Sequence, residues 1–294
     1  MPDRFVVDRQ LIDRRLTEIC DRYLDDIPAG VGAAIRYGIR SPGKRLRPLL
    51  LLYGYRAAGG HADASLLACA PEIIHAYSLM HDDLPCMDDD DMRRGRPTVH
   101  KVYGSRTAIL AGVAMIPLSV RVVREAAQSM QLASEATSLI AETLLSASGE
   151  AGMIGGQLRD LEGEGSSITL DALQAVHMAK TAALIIASVR IGAIAAGASA
   201  PQLAAIEQYG RDVGLAFQIM DDVLDVTSTT TALGKTSGRD AVLRKSTYPG
   251  LLGVEVAQQR ARALIADGLD SLASHGMLTQ ELSQVANFMI NRTS

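Results

Sequence analysis

The spacing of apolar residues is helical along most of the chain. Apolar side chains recur every three to four residues, which is the period of an α-helix that buries one face. No stretch of four or more residues alternates cleanly in the way a half-buried strand requires. Helices are predicted up to about residue 26 and then over about 31–40, 49–58, 62–83, 105–128, 132–148, 170–196, 201–226, 252–274 and 280–291.

This pattern predicts an all-α fold in one domain that spans residues 1–294. Several helices are apolar on most faces, so we expect them to surround a central buried helix pair. The segment from about residue 225 to 249 is irregular and rich in Thr, Gly and Lys. A connection of that length inside a compact domain is more often functional than structural.

Composition narrows the class of protein. Hydrophobic residues make up 48% of the 294 residues and the formal net charge is −4, which argues against a general nucleic-acid binder. The three cysteines share no CxxC spacing, so neither a disulfide framework nor a zinc site is indicated and a reducing cytoplasm is expected. The N-terminus has no signal-peptide pattern. Residues 182–198 are interrupted by Arg190, which favours a buried core helix over a membrane span.

An acidic cluster follows the helix predicted over residues 62–83. Six aspartates fall between Asp82 and Asp91. A charge run is usually a solvated loop, but Asp82 and Asp83 follow directly on an apolar helix, where unpaired carboxylates are costly. Hard oxygen donors such as these carboxylates suit Mg²⁺. The cluster therefore favours a metal site.

A second acidic cluster lies on a single predicted helix. Gln218, Asp221, Asp222 and Asp225 are spaced i, i+3, i+4 and i+7 among apolar neighbours, which places them on one face. An exposed amphipathic face is the alternative. Because Mg²⁺ takes one or two carboxylates and fills its shell with water and phosphate oxygens, two facing clusters predict a diphosphate held by several magnesium ions.

Cationic residues occur in short groups that could bind such a diphosphate. They are found in the turn Gly43–Pro48, after the first acidic run, within the helix over residues 170–196, and in the segment after the second cluster. Arginine makes forked contacts to phosphate and lysine supplies a point charge, although each group taken alone is more often surface. The turn lacks the second Gly and the Lys-Ser/Thr ending of a Walker A loop.

Together these motifs resemble the trans-isoprenyl diphosphate synthases, with the bacterial farnesyl diphosphate synthases as the most similar group. The matching pieces are residues 43–48, 72–85, 88–95, 156–157, 180–181, 217–225, 234–235 and 245–249, in the family's order and over nearly the whole chain. The resemblance implies a bundle of about ten or more helices around a central cavity, usually as a cytoplasmic homodimer. It implies small isoprenoid diphosphates as the partners and neither nucleic acid nor stable membrane insertion.

The resemblance also assigns roles to individual residues. Magnesium, as three ions once substrate is bound, would be held by Asp82, Asp88, Asp221 and Asp225, with Asp222 in support through bound waters. Isopentenyl diphosphate would contact Lys44, Arg47, His75 and Arg94. The allylic diphosphate would contact Arg93, Lys180, Thr181, Gln218, Lys235 and Lys245, and Lys180, Lys235 and Arg93 would act in catalysis.

The implied reaction is a magnesium-assisted ionisation of an allylic diphosphate. The cation is attacked by the double bond of isopentenyl diphosphate and a proton is then lost. Dimethylallyl and geranyl diphosphate would be extended to farnesyl diphosphate. The nearest alternative is a geranylgeranyl diphosphate synthase. A terpene cyclase would leave Lys44, Arg47 and His75 without a purpose. An HD-type phosphohydrolase, suggested by His81-Asp82, needs further spaced histidines. A non-catalytic synthase subunit would usually lack the acidic motifs.

Two residues before the first cluster are expected to set the product length. Tyr77 and Ser78 lie five and four residues before Asp82, and one helical turn rises about 5.4 Å, close to the length of an isoprene unit. A tyrosine ring there would close the cavity after a few units. In the resembling family an aromatic residue at this fifth position accompanies farnesyl products, whereas an ordinary core tyrosine is the alternative.

Overall fold

The all-α fold class is confirmed by a computed structural model that describes residues 3–227 and 245–291. Fourteen α-helices are present in these residues. They are α1 (Asp3–Tyr23), α2 (Ala29–Ile39), α3 (Leu46–Ala57), α4 (Ser65–Asp82), α5 (Val99–Tyr103), α6 (Ser105–Ser129), α7 (Ser134–Ser148), α8 (Met153–Glu162), α9 (Leu170–His177), α10 (Ala183–Ala195), α11 (Ala200–Thr227), α12 (Tyr248–Leu252), α13 (Val254–Ser274) and α14 (Gln280–Asn291).

The structure departs from the predicted elements in five places. Strands β1 (Met92–Arg93) and β2 (Arg96–Pro97) form a small antiparallel hairpin. The predicted helix over residues 170–196 is interrupted by a π-helical turn at Met178–Ala182. The short helices α5, α8 and α12 were not predicted. Each of these features is too short or too local to be seen in a period of apolar residues.

The core is built around α10, which confirms the prediction of a buried helix in residues 182–198. Nearly every residue of α10 is buried, and it packs against α3, α7 and α11. Contact with α3 is very close at Gly192, where a Cβ atom would lie 2.1 Å from the Leu51 carbonyl oxygen. Glycine is therefore required at this crossing of two backbones.

Two helical segments are long and apolar enough to cross a membrane by length and composition alone. They are Ser105–Ser129 and Leu170–Ala195, and 67% of the apolar window of Leu170–Ala195 is buried within the protein. That share is typical of the core helix of a globular protein. Only 44% of the window of Ser105–Ser129, which is α6, is buried, so α6 presents apolar side chains at the surface.

Candidate active site

The first acidic cluster begins at the C-terminal end of α4. The chain turns sharply there, because the Asp88 N–H donates to the Asp82 carbonyl at 2.8 Å and the Asp90 N–H donates to the Asp83 carbonyl at 3.2 Å. The hairpin that follows turns at Arg94 and Gly95, whose φ angles are 53° and 74°. These turns fold the acidic loop back over the end of α4.

Asp82 and Asp83 differ in their surroundings. Asp83 is buried and its Oδ1 accepts a hydrogen bond from Arg93 Nε at 2.6 Å. Burial raises the pKa of Asp82 to about 6, with Asp88 adding to the rise while Lys180 and Arg93 oppose it. A carboxylate whose ionised form is disfavoured in this way gains most from a bound cation. The positive charge of Lys180 therefore acts on Asp82 of the first acidic cluster.

A single aspartate joins two of the predicted lysines. Asp160 Oδ2 accepts hydrogen bonds from Lys180 Nζ at 2.6 Å and from Lys245 Nζ at 2.8 Å. Burial would raise the pKa of Asp160, yet the two lysines hold it below its usual value. Burial likewise lowers the pKa of Lys245, but the charge of Asp160 outweighs burial, so that the net pKa is raised, with Asp88 contributing.

Close packing of α8 brings Asp160 to these lysines. A Cβ atom at Gly156 would lie 2.2 Å from the Lys180 backbone nitrogen, so α8 can approach the π-helical turn only with glycine there. Asp160 follows Gly156 by four residues and therefore lies on the same face of α8. The π-helical turn itself carries Lys180 and Thr181. Such turns are frequent at functional sites.

The second acidic cluster occupies the last two turns of α11. Asp222 and Asp225 are buried, whereas Asp221 is partly exposed. Asp222 Oδ2 accepts from the Tyr248 N–H at 2.9 Å and lies 3.2 Å from His177 Nε2, and Oδ1 accepts from Gln218 Nε2 at 3.4 Å. Protein donors thus contact both oxygens of Asp222, and its support of the metal through bound waters stays a prediction.

Arginine and histidine side chains form a cationic pocket beside α4. His75, Arg93 and Arg94 line one cavity together with the Arg45–Glu72 ion pair. Burial lowers the pKa of Arg47 to about 10, while Glu72 and Asp221 oppose the shift and Arg94 adds to it. Burial and the neighbouring arginines lower the pKa of His75 well below its usual value. His75 and Arg47 retain some exposed surface, as side chains at the bottom of a cleft do.

Arg47 interacts electrostatically with Glu72 and Arg94 of this pocket and has unused hydrogen-bonding capacity. Among the residues the structure describes, its Nε is buried without a hydrogen-bond partner. An unsatisfied buried guanidinium nitrogen costs free energy unless a ligand accepts from it. Lys44, on the adjoining turn, lies with Nζ 5.6 Å from the centre of the Phe288 ring. The turn 43–48 is thus flanked by α14.

The structure brings most of the predicted site residues together. Electrostatic contacts connect Asp82 with Lys180, Lys245 with Asp88, and Arg47 with Asp221. Lys235 lies outside the described residues, so its placement remains a prediction. Thr181 adjoins Lys180 in the π-helical turn and Asp225 lies one turn beyond Asp221 on α11.

The sequence analysis missed Asp160 and His177 and assigned no role to Gln157, which belongs to the matched motif at residues 156–157. Asp160 binds both lysines, His177 contacts Asp222, and the side-chain amide of Gln157 is buried with no hydrogen-bond partner within the described chain. The spacing of Asp160 from Gly156-Gln157 was the available signal, since a polar residue one turn from a matched motif lies on the same face. His177, three residues before Lys180, offered no comparable signal.

The carboxylates suit Mg²⁺ by their chemistry, but not as a closed protein cage. Asp82, Asp88 and Asp221 do not form a group of three ligands within 4.8 Å of one another in the described parts of the chain, whereas Asp89, Asp91 and His100 do. Lys101 Nζ already lies 2.9 Å from Asp91 Oδ1 and supplies positive charge there. A cleft with few carboxylates per ion suits Mg²⁺, which completes its shell with water and phosphate.

The residues expected to set product length are both buried on α4. Tyr77 is 5% exposed and its ring meets the His81 ring edge-on, with 5.1 Å between centroids. His81 Nε2 donates to the Ile109 carbonyl of α6 at 3.1 Å, taking the tautomer with Nε2 protonated. Ser78 is also buried and donates to the His75 carbonyl at 2.9 Å. Tyr77 therefore packs against His81, which is itself hydrogen-bonded to α6.

Comparison with known proteins places this chain in a family. The polyprenyl synthetase family model matches residues 29–282. The farnesyl diphosphate synthase of Escherichia coli (strain K12) is 43% identical over 289 residues, covering 95% of this chain and 96% of that protein. The chloroplastic geranylgeranyl pyrophosphate synthase 12 of Arabidopsis thaliana is 41% identical over 249 residues, covering 83% and 69%.

Solved structures agree with the sequence comparison. The geranyltransferase of Helicobacter pylori, complexed with magnesium and isoprenyl diphosphate, matches with a TM-score of 0.82 at 30% identity, covering 99% of this chain and 97% of that one. The chain therefore belongs to the polyprenyl synthetase family. It is a prenyltransferase with the all-helical fold of the isoprenyl diphosphate synthases.

Proposed function

We propose that this protein is a magnesium-dependent farnesyl diphosphate synthase, which condenses isopentenyl diphosphate with dimethylallyl and then geranyl diphosphate. The observation that carries the product assignment is the buried Tyr77, one and a half turns before Asp82 in α4 and supported by His81. The similarity to the Escherichia coli farnesyl diphosphate synthase agrees with it. The similarity to geranylgeranyl pyrophosphate synthases is nearly as high, so product length needs a direct test.

Isopentenyl diphosphate binds, in this proposal, in the cationic pocket. Arg47 offers a buried Nε without a protein acceptor, Arg94 adds charge beside it, and Lys44 lies three residues before it in the same motif. Nearby arginines and burial hold His75 neutral by lowering its pKa. A neutral imidazole donates one hydrogen bond to phosphate without adding a full charge to a site already rich in arginine.

The allylic diphosphate binds at Lys180 and Lys245, with Arg93, Thr181, Gln218 and Lys235 contributing. Two ammonium groups held on one oxygen of Asp160 present a concentrated positive charge to a diphosphate. These groups stabilise negative charge as it builds on the leaving diphosphate. The resulting allylic cation is protected from water by the buried apolar walls of α4 and α6.

Asp82, Asp88, Asp221 and Asp225 would hold the magnesium ions. Bound Mg²⁺ acts as a Lewis acid on the leaving diphosphate. The Helicobacter pylori relative, whose structure is complexed with magnesium and isoprenyl diphosphate, supports magnesium as the metal. The raised pKa of Asp82, caused by burial and by Asp88, is consistent with a carboxylate that is stabilised by a cation.

The assembly proposed is a cytoplasmic homodimer of one-domain subunits. Ile109, Leu110 and Val113 are 42%, 53% and 54% exposed, and their spacing places them on one face of α6. An apolar stripe of this kind commonly marks an interface, and a second copy of the same chain is the simplest occupant. The three cysteines are free thiols, which agrees with a reducing compartment.

One assay tests the proposed function directly. The purified protein is incubated with Mg²⁺, isopentenyl diphosphate and dimethylallyl diphosphate, and the dephosphorylated products are separated by chromatography. A farnesyl product is expected. A geranylgeranyl product would replace the proposed chain length while keeping the reaction, and the absence of any longer prenyl chain would contradict the prenyl-transfer assignment.

A further inference from the structure

Asp222 lies in the second acidic cluster, but its hydrogen bonds run elsewhere. It is 4% exposed. Oδ2 accepts from the Tyr248 N–H at 2.9 Å and lies 3.2 Å from His177 Nε2, and Oδ1 accepts from Gln218. Hydrogen bonds to an ionised acceptor are about twice as strong as neutral ones. Both carboxylate oxygens of Asp222 therefore accept hydrogen bonds from the protein itself.

The two donors to Oδ2 belong to the two segments that carry the allylic-site lysines. His177 ends α9, three residues before Lys180, and Tyr248 begins α12, three residues after Lys245. The His177 and Tyr248 rings stack with centroids 5.7 Å apart and planes 18° apart. Both segments are therefore joined at Asp222 and again at Asp160, where the two ammonium groups meet.

We propose that Asp222 is a positioning residue for the allylic diphosphate site rather than a magnesium ligand. It fixes the backbones on either side of Lys180 and Lys245, so that both lysines stand together at Asp160. This inference rests on the proposed function for the identity of the ligand. Its neighbour Asp221 keeps the metal role in this proposal. The end of α11 would then fix the position of the metal relative to the two lysines.

Other bonds to the Lys245 segment do not perform this task. Ser246 Oγ accepts from the Ile168 N–H at 3.2 Å, which ties the segment to the connection between α8 and α9. Thr247 Oγ1 accepts from the Gly250 N–H at 3.2 Å and caps α12. Neither bond connects the segment to α11. The Asp222–Tyr248 hydrogen bond makes that connection, because Asp222 is a residue of α11.

Asp222→Asn removes the charge while retaining one acceptor oxygen and the shape of the side chain. We expect the KM for the allylic diphosphate to rise about tenfold, since a charge-assisted bond is weakened on each lysine segment. The KM for isopentenyl diphosphate and the magnesium concentration for half-maximal activity should not change. Inorganic diphosphate with Mg²⁺, measured by calorimetry, should lose affinity to a similar degree, which gives a readout independent of turnover.

A double-mutant cycle with Lys245→Ala tests whether Asp222 acts through that lysine. If it does, Asp222→Asn should add little to the effect of Lys245→Ala, because residues that act as a unit are not additive. Additive effects, or a magnesium requirement that rises as much as the allylic KM, would overturn the proposal. If the unaltered protein shows no prenyl transfer, the proposed function is refuted instead. The same double-mutant cycle, measured by calorimetry with inorganic diphosphate and Mg²⁺, would still decide the role of Asp222.

A control variant separates positioning from general damage. Asp212→Asn changes another buried aspartate of α11, bonded to Gln208 and far along the helix from the cluster, and should leave the allylic KM within about twofold. An equal loss in this control would overturn the proposal. If Asp222→Asn does not fold, His177→Gln is used in the same cycle, with the same pattern expected and the same outcomes decisive.

Discussion

At the scale of single residues, Asp82 gives the sharpest test of the proposed metal site. Asp82→Asn should reduce kcat by roughly a thousandfold or more, because several kcal/mol of transition-state stabilisation depend on the metal. The fold should survive, since one of several repelling carboxylates is neutralised without loss of packing. Activity is measured at saturating Mg²⁺, and folding by circular dichroism. Asp89→Asn, an exposed position in the same loop, is the matched control and should stay within about threefold. Near-normal kcat for Asp82→Asn would remove Asp82 from the metal site.

Product length also belongs to this scale. Tyr77→Ala should lengthen the main product to geranylgeranyl or beyond, because it removes a buried ring from the wall of α4. Ser78→Phe should shorten it to geranyl by filling the cavity, at a cost of about 1–3 kcal/mol in stability from overpacking. Chromatography of the products measures both changes. An unchanged product from Tyr77→Ala would place the end of the cavity elsewhere, near Met115 or Met153.

The residues that the sequence identified are those whose chemistry is visible in a pattern. Asp82 and Asp221 could be predicted because runs and stripes of acids are rare on apolar helices. Asp222 had the same pattern as Asp221, so its bonds to Tyr248 and His177 could not be foreseen. Those bonds depend on how α11 faces α9 and α12, which is a property of tertiary packing. The hydrogen bonds of Asp160 with two lysines likewise depend on tertiary packing and could not be predicted.

At the scale of elements, the crossing of α3 and α10 should be intolerant of any side chain at Gly192. Gly192→Ala would place Cβ 2.1 Å from the Leu51 carbonyl oxygen, so the two helices must separate, and we expect a loss of about 1–3 kcal/mol or more in the free energy of unfolding. Gly30→Ala is the matched control in α2, where nothing lies within 4 Å of the added Cβ. It should be neutral or stabilising by about 0.5–1 kcal/mol. Urea denaturation measures both, and equal effects would contradict the close-contact argument.

The elements show which parts of a helical fold a sequence can predict. Gln280–Asn291 was predicted with both ends correct, and α6 and α11 to within about two residues, because long amphipathic periods are robust. The hairpin at residues 92–97 depends on the positive φ angles of Arg94 and Gly95. The sequence of two residues between such short strands does not predict these angles. The helix α8 was missed because Gly155 and Gly156 lower its helical propensity, whereas its packing against the π-helical turn requires Gly156.

At the scale of the whole molecule, the exposed face of α6 predicts the oligomeric state. Leu110→Glu should convert a dimer into a monomer, because it buries a charge in the apolar interface. Since Leu110 is 53% exposed in the single chain, the monomer itself should remain folded. Size-exclusion chromatography with light scattering measures the mass. Val7→Glu, at another exposed apolar position on α1, should leave the mass unchanged, and a monomeric unaltered protein would contradict the homodimer.

The π-helical turn at Met178–Ala182 makes activity depend on the number of residues in this segment. A π turn holds one residue more than the α-helical turn it replaces, and regular α-helix is the commoner conformation. Deleting a single residue such as Ala179 would let residues 170–195 form one continuous helix. The same deletion would rotate His177 and Lys180 by about 100° relative to each other, separating the lysine from its partners. A protein shortened by one residue in this segment should therefore no longer transfer prenyl groups, and it would also lose the close contact between Gly156 and the turn.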